Sequence, residues 1–118
     1  MPINSHDLSN ALQAIAIIEK EYYKHYTLIE LAQMVGTNKS TLNIAVRKIK
    51  GMPVKQFVVF VRINKAKELL INPALTMEYI SSQVGLTRKN MGKQFRKLEN
   101  MTPKQWRQKY RDDTNVNL

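Results

Sequence analysis

Cysteine is absent from this 118-residue chain, which removes disulfide bridges, thiolate nucleophiles and cysteine-ligated zinc from the candidate chemistries. Acidic residues are scarce. Nine Asp and Glu stand against nineteen Lys and Arg, leaving a formal charge of +10. Such a surplus attracts polyanions: nucleic acid first, an anionic membrane surface second. Long apolar runs are also missing. The longest, AIAII at 14–18 and FVVFV at 57–61, fall far short of the ~20 residues that cross a bilayer. The opening MPINSHDLSN has neither the cationic start nor the apolar stretch of a signal peptide. A soluble cytoplasmic protein without a membrane partner is expected. His6 and His25 stand apart with no second ligand at metal spacing, and Glu19 and Glu21 do not face each other on a helix. No Ser/His/Asp set, P-loop or dinucleotide glycine motif occurs, so neither an enzyme nor a cofactor is expected.

What the chain has is a repeat. Shifted by 49 residues it aligns with itself without gaps: Thr27 meets Thr76, Leu31 meets Ile80, Gly36 meets Gly85, Arg47-Lys48 meets Arg96-Lys97, and Phe57 meets Trp106. Apolar positions meet apolar positions and turns meet turns, the mark of a duplicated supersecondary unit. Each copy opens on a threonine suited to a helix N-cap. In TLIE at 27–30 the glutamate three residues on completes a capping box. Leu28, Leu31, Ala32 and Val35 then recur at helical spacing, and Gly36 stops the helix. A second stripe follows in Leu42, Ala45, Val46 and Ile49. The second copy repeats the plan with Thr76, Ile80, Val84 and Gly85, then Met91, Gln94, Phe95 and Leu98. Short helix, glycine turn and second helix make a helix-turn-helix.

Between the copies, the β-branched run at 58–61 favours strand by local propensity. The longer segment carries Arg62, Lys65, Lys67 and Glu68 with Ala66, Leu69 and Leu70, a helical mixture, so one helix is predicted up to Asn72-Pro73. Ahead of the first copy, Ser5 or Asp7 can cap a helix with Leu8, Leu12, Ile15, Ile18 and Tyr22 on one face. After the second, Thr102, Pro103 and Gln105 give a cap, a first helical residue and a capping box. The aromatics, including Tyr23, Phe60 and Tyr79, fall at helical spacing and read as core. The expectation is an all-α fold of about seven helices, two helix-turn-helix subdomains joined by a long connecting helix. The boundaries are 1–52, 53–72 and 73–111, with a tail at 112–118.

The strings YTLIELAQMVG, RINKAKELL, LTMEYISSQVGL and FRKLENMTPKQW resemble the DNA-binding domain of the AraC/XylS family of bacterial transcription regulators. The resemblance covers roughly residues 11–110. It implies two helix-turn-helix subdomains on a shared helix, each placing its second helix in the major groove. This chain differs from the family pattern at Val46, where an aromatic residue is usual, and at Ile44, Leu86 and Gly92.

A recognition helix turns one face to its own subdomain and the other to base edges. In the first copy the outward residues are Lys39, Ser40, Asn43, Ile44, Arg47 and Lys48. Asn43 can bond adenine, Ser40 is adaptable, and Ile44 can contact a thymine methyl; these three are the predicted base readers. Lys39, Arg47 and Lys48 are predicted on phosphates. In the second copy the family positions imply base contact by Lys89 and Lys93, with Arg88 on a base or the backbone and Arg96 and Lys97 on phosphates. Thr27 and Thr76 are either ordinary caps or helix starts that offer N–H groups to phosphates.

The predicted function is a sequence-specific regulator of transcription that binds double-stranded DNA through successive major grooves. Its two readers would lie about one DNA turn, ~34 Å, apart. It would act as a monomer if it stands alone, or within a larger dimeric regulator. Two alternatives remain at this level: a nonspecific nucleic-acid binder, and an interaction module docking on RNA polymerase or a partner regulator.

Overall fold

The structure, a computed structural model, describes residues 2–115, with side chains through Arg111. The described residues form seven helices and no strand: α1 (Ser5–Lys20), α2 (Leu28–Met34), α3 (Lys39–Lys50), α4 (Val54–Leu70), α5 (Met77–Gln83), α6 (Arg88–Glu99) and α7 (Pro103–Asn115). The period of the sequence survives residue for residue. Helices α5, α6 and α7 begin 49 residues after α2, α3 and α4, at Met77, Arg88 and Pro103 against Leu28, Lys39 and Val54.

Capping chemistry sets these boundaries. Thr27 Oγ1 accepts the Glu30 N–H at 3.0 Å while Glu30 Oε1 accepts the Thr27 N–H at 2.9 Å, satisfying two donors that the helix leaves unpaired. Thr76 accepts from the Tyr79 N–H and Thr87 from the Asn90 N–H, each at 3.1 Å. Thr27 and Thr76 are thus caps of seven-residue helices. Thr102 and Gln105 close another reciprocal pair ahead of α7. The two second helices end alike. Gly51 takes φ 75° and its counterpart Asn100 φ 58°, the left-handed conformation that asparagine tolerates best after glycine.

By its contacts the chain divides into two compact units, Met1–Val61 and Arg62–Leu118. The division falls inside α4, the helix expected to connect the two subdomains. In the first unit Ala11, Ala14, Ile15 and Ile18 of α1 are buried with Leu31, Ala32, Leu42, Ala45, Val46, Val54, Phe57 and Val61. Helices α1 and α3 pack together, and Ala11, Ala14 and Ala45 on them are fully buried. In the second unit Ile63, Ala66, Leu70, Ile80, Val84, Leu86, Met91, Phe95 and Trp106 are buried. Phe95, which replaces Val46 at the repeat position, meets Trp106 edge-on with ring centroids 6.0 Å apart, a favoured aromatic geometry.

Several expectations are corrected. The cap of α1 is Asn4, which exchanges bonds with Asp7, in place of Ser5 or Asp7. Leu12 and Leu98, expected on apolar faces, are 55% and 43% exposed, and Tyr23, Phe60 and Tyr79 are exposed as well. Helix α7 continues to Asn115 through residues expected in the tail, whose last three, 116–118, lie outside the described residues.

Candidate nucleic-acid interface

On α3, burial of Leu42, Ala45 and Val46 fixes which side faces outward. Lys39, Ser40, Ile44, Arg47 and Lys48 are exposed there. Ile44 shows 45% of its surface to solvent, an apolar side chain in a polar row. The helix contains no acid, and its last turn adds Lys50, whose ammonium lies 5.4 Å from the Phe57 ring centroid.

On α6, Met91 and Phe95 are buried and Arg88, Lys89, Lys93, Arg96 and Lys97 are exposed. Its one acid, Glu99, is neutralised by Lys67 at 2.8 Å. Arg88 does not stand alone, because its guanidinium bonds the Glu78 carboxylate at the start of α5. Glu78's carboxyl is held below the usual range by a backbone N–H and by Arg88. The predicted residues of each copy therefore share the outward side of one helix, with one exception.

That exception is Asn43, whose side chain is half-buried and turned to its own subdomain. Its Oδ1 accepts the Val54 N–H at 3.0 Å. Helix α4 starts after Pro53, which has no side-chain acceptor, so Asn43 caps it from eleven residues away. One lone pair of Oδ1 is thus committed to the start of α4, which ties the side chain to its own subdomain. In the second unit the residue equivalent to Val54 is Pro103, which has no N–H. The residue equivalent to Asn43 is Gly92, where an added Cβ would meet nothing within 4 Å.

Arg107 lies outside the predicted set. Its Nε donates to the Leu70 carbonyl at 2.9 Å, and its Nη2 to those of Leu75 at 2.7 Å and Asn72 at 3.2 Å. It thus pins the turn between α4 and α5 to α7. Burial, then the neighbouring Arg111, pulls its pKa below the ordinary arginine value. The signal in the sequence is the stripe Lys104, Arg107, Gln108 and Arg111 at helical spacing.

Two helix-turn-helix pairs, each with an apolar face buried and a cationic face exposed, define a duplicated helix-turn-helix protein. The family described as "Helix-turn-helix domain" matches residues 31–109, two-thirds of the chain. The chain belongs to this family as a DNA-binding domain of the AraC type, a non-enzymatic class of transcription-factor domain. It is similar to the lactose operon transcription activator of Staphylococcus xylosus, with 32% identity over 87 residues covering 70% of this chain and 31% of that protein. The chain thus spans under a third of that relative's length. It is also similar to the C-terminal domain of the two-component response regulator yesN of Fusobacterium nucleatum, with 33% identity, TM-score 0.74 and coverage of 83% of this chain and 98% of that one. The DNA-binding domain of AdpA, solved in complex with a target DNA, shares the fold at TM-score 0.81 and 17% identity, over 87% of this chain and 94% of that one. Among the described residues, no helix is long and apolar enough to cross a membrane.

Proposed function

We propose that this chain recognises specific double-stranded DNA sequences by placing α3 and α6 in successive major grooves, as the DNA-reading part of a bacterial transcription regulator. One observation carries the reading: both second helices expose rows of cations, with no acid on α3 and the single acid of α6 already paired. An outward face of that composition is repelled by itself and attracted by phosphates. Ser40 and Ile44 read the first half-site, the isoleucine against a thymine methyl. Lys89 and Lys93 read guanine O6 and N7 in the second, and Arg88 exchanges Glu78 for a base or the backbone. Lys39, Arg47, Lys48, Arg96 and Lys97 hold phosphates and set the register. AdpA's domain, with the same fold, binds a target DNA, which supports the reading. Work on chromosomal DNA puts the protein in the cytoplasm. Contact with RNA polymerase and pairing of two copies, if the chain serves a longer regulator, would use surfaces other than α3 and α6. Mobility shifts with specific and random competitor duplex test the proposal: the specific duplex should compete far better.

The engagement of Asn43 favours one second reading, a binder with weak base preference, because it ties a predicted base reader of α3 to the cap of α4. Equal competition by every duplex would select that reading.

A further inference from the structure

The second unit carries a basic groove of which the predicted contacts include Arg88 alone. It encloses about 420 Å³ and is lined by Met77, Arg88, Lys104, Arg107, Gln108 and Arg111. Four of these six are cations. Lys104, Arg107 and Arg111 follow one side of α7 at spacings of three and four, where like charges repel within a helix. Glu78 bonds Arg88 at the groove's edge. Concentrating cations in one concavity raises the energy of the unbound state and the attraction for an anion.

We propose that this groove seats the DNA backbone flanking the half-site read by α6, with Lys104 and Arg111 as phosphate contacts and Arg107 as the residue that positions their wall. The proposal rests on the DNA-binding reading and extends it to residues that reading does not use. Arg88 supplies the geometry. It is the first residue of α6 and lines the groove, so the groove adjoins the end of the helix that enters the major groove, whose edges are phosphate strands. Arg107 supplies rigidity. Its three bonds to carbonyls at 70, 72 and 75 fix the turn after α4 against α7, so the groove's wall is formed before DNA arrives and ordering it costs little on binding. Lys104 is exposed and Arg111 half-buried at the rim.

The test uses the full chain, a duplex selected for tight binding, and fluorescence anisotropy across a salt series, with Lys104→Gln and Arg111→Gln alone and combined. Each substitution should reduce the slope of log affinity against log salt by about 0.9. Each should weaken selected and scrambled duplexes by the same factor and leave base preference intact. Neutral methylphosphonates at the phosphates flanking the α6 half-site should abolish the effect of both substitutions. Wild-type slopes in both variants, while Lys93→Ala still weakens binding, overturn the groove and spare the DNA reading. So does saturable capture of pyrophosphate at Lys104 and Arg111 with an unchanged DNA slope. Absence of any duplex binding by the wild type at low salt overturns both. Melting temperatures accompany each variant, and if Arg111→Gln loses stability, Lys104→Gln decides.

Discussion

Val54 N–H opens α4 with no acceptor in its own helix, and Asn43 supplies one. A half-buried donor left without a partner costs about 1–3 kcal/mol. Asn43→Ala should therefore destabilise the chain by about 1–2 kcal/mol in urea unfolding, whereas Asn43→Asp keeps the acceptor and most of the stability. A change in base preference at unchanged stability would return Asn43 to the base readers. Gly92 faces the opposite situation, since Pro103 needs no acceptor and open space surrounds the missing Cβ. Gly92→Ala should stabilise α6 by about 0.5–1 kcal/mol, because glycine loses more backbone freedom on folding. A lower melting temperature in that variant would mean the position is strained.

At the scale of helices, glutamates in the first turns of α2 and α5 give the fold a dependence on acid. Glu30's carboxyl is held below its usual range, first by the Thr27 backbone N–H and then by the Thr27 side chain, and Glu78's by its own backbone N–H and Arg88. A carboxyl whose pKa is lower folded than unfolded stabilises the fold above its unfolded value. That contribution is lost as pH falls through the folded value. Melting temperature should hold steady from neutrality down to the ordinary glutamate range near pH 4.5 and fall below it. Glu30→Gln and Glu78→Gln together should flatten the fall, and an unchanged acid limb would contradict this assignment. The helices themselves were legible in the sequence because their determinants are local: threonine caps, the glycines after α2 and α5, and a 49-residue echo that doubles every signal. What was not legible is tertiary. The Asn43–Val54 bond spans eleven residues, and the groove draws on three helices. The exposed Leu12 and Leu98 keep helical spacing but sit at the edge of their stripes, where periodicity does not separate buried from exposed.

For the molecule as a whole, a charge of +10 makes DNA affinity a function of salt. If about 6–10 phosphates are neutralised, affinity should fall ~10³–10⁵-fold between about 50 and about 200 mM salt. Two compact units with equivalent helices predict two separable half-sites. Ile44→Ala should relax preference in one and Lys93→Ala in the other, the lysine change by about 1–3 kcal/mol against the wrong base. Selection of duplexes bound by the full chain from a random pool bears most directly on specific recognition through two helices. One sequence should be enriched, with two conserved blocks about a helical turn apart, ~10–10.5 base pairs. A bound pool as random as the starting one would contradict that recognition.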